Sequence, residues 1–519
     1  MRRLAALWGA LLGAALAAVL YAGWKVASFP FPPFDLFDWV SRRLPGPLLT
    51  GAIDAMVRLL RAVDLGRTDT AAKMVEQTMA VLLWIVLSAV AALLVQAATG
   101  GGRRAALVPG LLAGAVLGVG ALAIRAGLGH PVGGAVLGSV FVVAACEVWG
   151  AALGRTLDLL HAPSVERLGR RRFLIRLGGA TAAITVVGAT VGALTGGGER
   201  PRGRRWSAGN RLPNASDPVA PAPGTRPEFT PLERHYRIDI NTMAPKVDGE
   251  TWRLSVRGLV ERPQELTLAA LRSLPPTHQF VTLSCISNPV GGDLIGTTRW
   301  TGVSLQELLP RLALLPSATH LEIRGADGFH EVVPLATIRS DPRVMLAYAW
   351  DGVPLTVGHG FPLRIYIPDL YGMKQPKWIT SLEAVERPRD GYWVVRGWDR
   401  TARMRATSVI DSVAVEAATR GEDGRVLVPV GGFAHAGARG ISKVEVQMDD
   451  GPWQEARLRH PISPTTWTIW RADLSFTPGA HRLTVRCVDG QGEAQSIDRR
   501  PPHPSGASGL HGKEGTLPA

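Results

Sequence analysis

Cys285 is the residue whose type and setting in this chain best suit redox chemistry. It follows a short, largely apolar run, Phe280 to Leu283, which predicts a strand, and a loop containing Gly291, Gly292 and Gly296 comes directly after it. Such a loop lets the backbone approach a ligand closely, and a thiolate is a soft ligand suited to a soft or redox-active metal. Spacing alone leaves a second interpretation open, a buried and inert cysteine beside a bulged strand.

A group of basic residues frames a second predicted strand. His359 and Arg364 bracket the entry to the alternating segment at 363–367, and Lys377 lies just past a glycine turn. Arginine and lysine supply fixed positive charge, and arginine can also form a bidentate pair with an anion. Taken alone, His359 is equally compatible with a structural role.

Three segments resemble the sulfite-oxidase family of molybdenum enzymes. The first is the strand-end cysteine, followed at 300–305 by Trp-Thr-Gly-Val-Ser-Leu. The second is His-Gly-Phe-Pro-Leu-Arg at 359–364, followed at 372–378 by Gly-Met-Lys-Gln-Pro-Lys-Trp, which is similar to the family's pterin-binding signature. The third is the order of a polar segment with a tyrosine, a Trp-x-Leu-x-Val strand at 252–256 and a short helix at 266–274. The resemblance covers about residues 230 to 500.

The resemblance implies an α+β molybdopterin domain in which Cys285 is the metal ligand. In the family, molybdenum carries oxo ligands, one pterin dithiolene and one protein thiolate, and it cycles between Mo(VI) and Mo(IV) as an oxygen atom moves to or from substrate. Arg299 and Tyr371 are the candidates to face the substrate. The residues carried over as cofactor-binding are Tyr236, Arg237, Asn241, Cys285, Asp327, His359, Arg364, Gln375 and Lys377.

One departure from the family pattern puts the substrate in doubt. Sulfite oxidases place an Asn-Arg-Arg segment just after the cysteine, whereas Ile286-Ser287-Asn288-Pro289 follows here. A sulfite site needs positive charge to hold a dianion, so we expect sulfite to be a poor substrate. Reduction of a sulfoxide-type substrate stays open. The rival class is a non-catalytic membrane receptor or scaffold with a degenerate domain.

Composition indicates membrane segments in the first 195 residues. Apolar residues make up 46% of the 519-residue chain, charged residues make up 19%, and the net charge is +14. Five apolar runs are long enough to cross a bilayer, which takes roughly 20 residues. A cleaved signal peptide is the alternative for the first run, but no convincing cleavage site follows it. The runs are 4–24, 77–98, 105–128, 131–153 and 174–195.

Basic residues in the short loops predict the orientation of these runs. Arg103 and Arg104 separate the second and third runs, and several arginines separate the fourth and fifth, so both loops should be cytoplasmic. The catalytic part then lies on the extracytoplasmic side of the cytoplasmic membrane. Arg170-Arg171-Arg172-Phe173-Leu174 also resembles a twin-arginine export signal, although an ordinary positive flank is the alternative.

The remaining expectations concern partners and domain organisation. Only His130 and His161 lie near the apolar runs, so no haem is evident and the helices serve mainly as an anchor, with quinone contact left open. Short alternating strands after residue 407 suggest an immunoglobulin-like sandwich, which in the family mediates dimerisation. We expect membrane lipid, an unidentified electron-transfer partner and no nucleic acid. The predicted parts are a transmembrane region at 1–195, a linker at 196–230, the molybdopterin domain at 231–400, the sandwich at 401–500 and a loose tail at 501–519.

Overall fold

The computed structural model describes residues 2–63, 66–100, 105–129, 136–161, 178–179, 183, 203–420 and 426–517. The chain divides into two compact units. The helical unit comprises Met1–Pro45, Thr70–Glu199 and Asp239–Ala244, and the second unit comprises Gly46–Asp69, Arg200–Ile238 and Pro245–Ala519.

The helical unit holds four helices that are long and apolar enough to cross a membrane. They contain the first two predicted runs and most of the third and fourth, and the fifth run falls almost entirely outside the described residues. Glycines bring two of these helices together, since a Cβ on Gly114 would lie 3.1 Å from the backbone carbon of Cys146, a close approach typical of membrane helices. The helices before the second unit's sheets are α1 (Arg2–Ala27), α2 (Pro32–Arg43), α3 (Gly46–Val63), α4 (Thr68–Ala98), α5 (Leu107–Gly127) and α6 (Val136–His161).

Two sheets build the first half of the second unit. One has the order β2-β1-β10-β5-β6, with β1 and β10 parallel, and the other has the order β3-β4-β7-β8, with β9 also paired to β7. Their elements are β1 (Arg253–Gly258), β2 (Gln264–Thr267), α7 (Leu268–Arg272), β3 (Thr277–Ser284), β4 (Ile295–Ser304), α8 (Leu305–Leu308), β5 (His320–Gly325), β6 (His330–Pro334), α9 (Leu335–Ser340), β7 (Met345–Trp350), β8 (Val353–Pro354), β9 (Arg364–Tyr366) and β10 (Ile379–Val385).

The alternation of apolar and polar residues that predicts these strands arises because every second side chain is buried. Leu254 and Val256 on β1 are fully buried in the main core, as the pattern indicates. The helix predicted at 266–274 is shorter, because residues up to Thr267 pair with β1, and the Thr267 hydroxyl then caps α7 by accepting a hydrogen bond from the backbone N–H of Ala270. Gly302 marks a register shift between β4 and β7, where an added Cβ would strike the backbone of β7.

The C-terminal half of this unit consists of two antiparallel sheets. One has the order β11-β13-β17-β16 and the other β15-β14-β18-β19. Trp470 and Cys487 lie in the core of this half. The immunoglobulin-like assignment stays a prediction. The strands are β11 (Thr407–Val413), β12 (Thr419–Arg420), β13 (Val426–His435), β14 (Ile441–Met448), β15 (Gln454–Glu455), β16 (Arg457–Leu458), β17 (Thr468–Phe476), β18 (Gly479–Asp489) and β19 (His511–Leu517).

The predicted linker and the predicted tail both contain ordered residues. The tail is not loose throughout, because β19 pairs with β18 along its length and buries the alternate residues Gly515 and Leu517. The described part of the linker packs on the sandwich, where Arg459 bonds Glu228 at 2.9 Å and Trp467 donates to the Glu228 carbonyl. Both segments are therefore ordered by partners that are distant in sequence.

Candidate active site

The loop after β3 presents Cys285 in a buried position. The cysteine is 8% exposed, and its backbone N–H donates to the carbonyl of Leu294 at 2.9 Å. Asn288 closes the loop, because its side-chain oxygen accepts a hydrogen bond from the N–H of Leu294 at 3.0 Å. The Cys285 Sγ lies 2.9 Å from the Ser287 Oγ. Loop hydrogen bonds thus hold the thiol at one place at the strand end.

The surroundings of Cys285 shift the pKa of its thiol in opposite directions. Burial raises the pKa of the thiol, whereas the hydrogen bond from Ser287 and the charge of Lys377 lower it. Tyr236 is also an electrostatic neighbour of Cys285, and burial raises the pKa of its phenol well above the usual value. A thiolate at this position would consequently be stabilised by binding a cation, as a metal ligand is.

Arg364 is the buried cation of the site. It is 4% exposed, its guanidinium carbon lies 4.5 Å from the centre of the Trp300 ring, and Nη1 donates to the His359 carbonyl at 3.1 Å. Burial lowers the pKa of Arg364 to about 10, so it stays charged at neutral pH. Gly360 permits this convergence, because it has a φ of +109° and an added Cβ would lie 3.2 Å from the Arg364 Cβ and 3.1 Å from the Lys377 Cβ.

Two histidines beside Arg364 are held neutral. Burial and then the neighbouring positive charges lower the pKa of His359 well below its usual range, and burial lowers that of His235 to about 3. The His359 Nδ1 lies 2.8 Å from the Thr356 hydroxyl and Nε2 lies 3.3 Å from the His235 carbonyl. This arrangement favours a proton on Nε2, since a carbonyl can only accept.

The residues present fit a pyranopterin with its phosphate. Buried polar atoms with no protein partner among the described residues are what an absent polar group leaves behind. Lys377, which donates from Nζ to the carbonyl of Ile238 at 3.0 Å, adds a second positive charge. The partnerless atoms of the site are His235 Nε2, Arg364 Nε, Trp300 Nε1 and Trp350 Nε1.

A metal at Cys285 would need further ligands from a cofactor. Within the described ranges, no group of three or more His, Cys, Asp or Glu side chains could hold a metal ion. One thiolate does not complete the coordination of any common protein-bound metal. This donor set therefore agrees with a metal that brings its other ligands with it.

Three of the predicted cofactor residues make contacts with nearby backbone or with an acidic side chain. The Asp327 carboxylate accepts from the N–H of Phe329 in the β5–β6 turn, and Gln375 donates to the Ile367 and Leu370 carbonyls. The backbone N–H of Arg237 donates to Asp69. These contacts suit local structural roles for the three residues.

Asn241 belongs to the helical unit, unlike the other predicted cofactor residues. Its side-chain oxygen accepts from Arg42 at 2.6 Å, and its carbonyl accepts from Lys73 at 2.8 Å. These bonds join Asn241 to α2 and α4, the helices that carry Arg42 and Lys73, and its pterin contact stays a prediction.

A small cavity of about 20 Å³ lies beside Tyr371, enough room for a single water molecule. Its lining includes Ser284, Arg405 and His435. The Tyr371 hydroxyl accepts from the N–H of Arg405 at 3.1 Å, and Tyr371 is an electrostatic neighbour of Cys285. Sequence reasoning missed Arg405 and His435, which lie in the C-terminal module, although the Arg403-Met404-Arg405 run was a visible cluster of charge.

The prediction that Arg299 faces the substrate needs correction. In the β3–β4 register, Arg299 lies opposite Phe280, whereas Ile295 lies opposite Ser284 next to the cysteine. At roughly 3.3 Å per strand residue, five residues separate the Arg299 position from Cys285 by about 16 Å. The Arg299 guanidinium lies 5.4 Å from the Trp206 ring centre in a separate pocket that also includes Arg204.

Comparison with known proteins agrees with this site. Residues 241–393 match the family described as Oxidoreductase molybdopterin binding domain. The chain is 29% identical over 287 residues to mitochondrial sulfite oxidase of Rattus norvegicus, covering 47% of this chain and 52% of that protein. It is 27% identical over 342 residues to nitrate reductase [NAD(P)H] of Hordeum vulgare, covering 53% of this chain and 38% of that protein. The chain thus spans about half the length of these relatives or less.

Among solved structures, the sulfane dehydrogenase SoxCD from Paracoccus pantotrophus matches with a TM-score of 0.48 and 24% identity, covering 57% of this chain and 82% of that chain.

The class that these observations define is the molybdopterin-binding oxidoreductases. Within this class, the matched part of the chain is similar to the sulfite oxidases, and this similarity agrees with the cysteine loop and the basic residues described above.

Proposed function

We propose that the chain is a membrane-anchored molybdenum-cofactor oxidoreductase that transfers an oxygen atom to or from a small substrate. One observation carries the proposal: a buried thiol and a buried arginine share one site with polar atoms that have no partner within the described ranges of the chain. A stable fold tolerates such atoms poorly unless a ligand satisfies them.

The residues of the site have distinct roles in this proposal. Cys285 supplies the one protein thiolate, while Arg364 and Lys377 neutralise and position the pterin phosphate and ring. His359 and His235 are neutral at physiological pH and so offer hydrogen bonds without adding charge. When bound, the molybdenum cofactor would supply the two-electron oxygen-atom chemistry that the side chains cannot supply.

The substrate in this proposal is a small oxyanion, with Tyr371 and Arg405 as the residues that would face it. Arg405 donates from Nε to the carbonyl of Ser505 at 2.9 Å, and its remaining N–H groups can serve an anion. It supplies a positive charge that the loop after Cys285 lacks. A sulfoxide-type substrate is the second candidate, because no arginine follows Cys285 directly.

Metal and pterin analysis of the purified full chain tests the proposal. We expect about one molybdenum and one pterin per chain, together with turnover of an oxyanion or a sulfoxide by a dye-linked assay. A chain purified from cells that make the cofactor, yet containing neither molybdenum nor pterin, would support the non-catalytic scaffold instead.

The contacts at the start of α4 support the proposed topology of five crossings. Residues 46–69, which end in the first turn of α4, lie in the same unit as the catalytic domain, where the N–H of Thr68 donates to Asp293 at 2.9 Å and Asp69 accepts from the N–H of Arg237. If α4, α5 and α6 each cross the membrane, residue 161 lies on the opposite side from that loop. A further crossing before residue 203 must then return the chain, and the apolar run at 174–195 is the sequence that could supply it.

Reporter fusions test this topology. A reporter that works only outside the cytoplasm should be inactive when it is fused after residue 161. The same reporter should be active when it is fused after Ala519. Activity of a cytoplasm-only reporter at Ala519 would contradict the scheme. Replacing Arg170 and Arg171 by lysine should trap the domain inside if the twin-arginine interpretation is right.

A further inference from the structure

Helix α3 has an apolar stripe that the predicted membrane runs do not include. Leu48, Ala52, Ala55 and Leu59 recur at i, i+4, i+7 and i+11, so they share one face of the helix. Thr50 and Asp54 lie on another face. The helix is therefore amphipathic, although it is too interrupted by polar residues to rank among the candidate spans.

This stripe faces outward in the second unit. Leu48 is 63% exposed and Leu59 is 64% exposed, and both alanines are exposed as well. In contrast, Thr50 on the opposite side is buried. Asp54 is only half-buried, Arg58 is exposed, and the apolar Ile53 and Val57 share the inner face with Thr50, so the two exposed leucines need an apolar partner of their own on the outside.

The exposed apolar surface continues beyond α3. Gly46, the first residue of the helix, packs against Arg396, where an added Cβ would lie 2.8 Å from the Arg396 Cα. The adjacent Val395 is 61% exposed. Arg58 is also exposed, one residue before Leu59. An apolar stripe with arginine beside it matches the acyl-chain and phosphate layers of a lipid surface.

Chain connectivity identifies the membrane as the occupant. α3 lies between two candidate spans: α1 ends at Ala27, and α4 begins at Thr68 after the four residues 64–67. At no more than about 3.5 Å per residue, that link keeps the end of α3 within roughly 18 Å of the start of α4. Both ends of the helix are thus tied to segments that would enter the bilayer.

We propose that α3 lies in the membrane interface, with Leu48, Ala52, Ala55 and Leu59 among the lipid acyl chains. The inference rests on the proposed membrane anchoring of the chain. α3 belongs to the unit that holds the catalytic domain, so this contact would fix the height and tilt of that domain over the lipid. The orientation would in turn determine which face of the catalytic domain a membrane-borne electron partner meets.

Lipid-borne quenching of a thiol-reactive fluorophore tests the proposal in the full chain reconstituted in bilayers. The native cysteines are all buried, so a probe on Leu48→Cys or Leu59→Cys reports on α3. We expect phospholipids brominated on their acyl chains to quench both probes, and aqueous iodide to quench them weakly. An interfacial helix sits about 5–10 Å into the headgroup boundary, within reach of shallow bromines.

Two matched controls separate this inference from the anchoring itself. Val116 on α5 is 73% exposed and should be quenched by lipid, whereas Ile497 in the C-terminal part is 74% exposed and should be quenched only by iodide. Probes at Leu48 and Leu59 that behave like Ile497 while Val116 is quenched would overturn the α3 proposal alone. Protection from both quenchers would also overturn it, by indicating a protein partner. An unquenched Val116 would overturn the anchoring and the α3 proposal together.

Discussion

Two cysteines in the second unit are both buried but have very different surroundings. Cys487 lies in the middle of β18, is 1% exposed, and its Sγ donates to the Gln495 side chain at 3.3 Å. Cys285 lies past the end of β3, is 8% exposed, and has Ser287, Tyr236 and Lys377 as polar or charged neighbours. Burial alone therefore does not distinguish a structural thiol from a ligand.

The two thiols differ in the hydrogen-bond partners of the polar groups around them. The Cys487 thiol packs in a core of Val444, Val485 and Trp470 and donates a hydrogen bond to Gln495. Cys285 lies instead on a loop beyond its strand, and its site contains the buried Arg364 and His235, each with an atom that has no partner among the described residues. A cofactor bound at Cys285 would give these atoms partners, whereas the Cys487 thiol already has one.

Replacing each cysteine by serine should separate the two roles most clearly. Cys285→Ser should lower turnover by more than about 100-fold, beyond the cost typical of an outer-shell partner, because an alkoxide is a harder donor than a thiolate. It should retain much of the pterin, since Arg364, Lys377 and His359 remain. Turnover, molybdenum content and the Mo(V) paramagnetic signal are the measurements.

Cys487→Ser is the matched control for that experiment. Its molybdenum content and paramagnetic signal should equal those of the unaltered chain. If Cys487→Ser were inactive and Cys285→Ser unchanged, the two cysteines would have been assigned to the wrong roles.

Arg364→Met should reduce cofactor retention. Losing charge-assisted hydrogen bonds worth about 1.5–3 kcal/mol weakens binding by roughly 10–100-fold. The pterin released during purification measures this loss. Arg257→Met is the control, because the exposed Arg257–Glu383 pair on β1 and β10 contributes little. Equal pterin content in both variants would contradict a binding role for Arg364.

Local patterns predicted those parts of the site that lie close to a motif. His359, Arg364 and Lys377 converge because Gly360 allows their segments to approach, and that glycine is part of the motif itself. Arg405 was missed because a loop between two sheets has no period that would reveal it. The error at Arg299 has a related cause, since the distance of a strand residue from a site depends on a register set by a distant strand.

The same limit applies to the connecting segments. Polar, glycine-rich and proline-rich composition predicts a linker and a loose tail, yet the described linker residues bond to residues more than 200 positions away, and part of the tail pairs with β18. Arg459, for example, bonds both Glu228 and the carbonyl of Asn214. Composition carries no information about such partners.

Arg405→Gln tests the anion site and should raise KM for an oxyanion substrate by about tenfold, the value expected for one charged hydrogen bond of about 1.4 kcal/mol. Molybdenum content should not change, because the residue lies in the sandwich-side lining of the cavity. Arg403→Gln is the control, since Arg403 pairs with Asp369 at 2.7 Å and is not part of that lining.

Steady-state assays with sulfite and with a sulfoxide should show the effect on sulfite alone, whose turnover we expect to be low. An equal rise for the uncharged sulfoxide would mean that Arg405 supports the fold of the cavity rather than its charge.

The smallest expected effect is the contribution of Cys487 to stability in alkali. Burial raises the pKa of this thiol from 9.0 to about 12. Because the folded pKa lies above the unfolded one, the folded state retains the proton between these values, and the stabilisation is complete below pH 9 and is lost as the pH rises toward 12. At pH 10 the loss should be about 1.4 kcal/mol, since one unit separates that pH from the unfolded pKa.

Serine does not titrate in this range, so Cys487→Ser should show a shallower fall of Tm between pH 8 and 10, whatever its cost at neutral pH. The two chains should be melted in parallel at each pH, with the difference in Tm as the measured quantity. A difference that stays constant from pH 8 to 10 would show that Cys487 is not held protonated by its core, and the contrast with Cys285 would then rest on the ligand site alone.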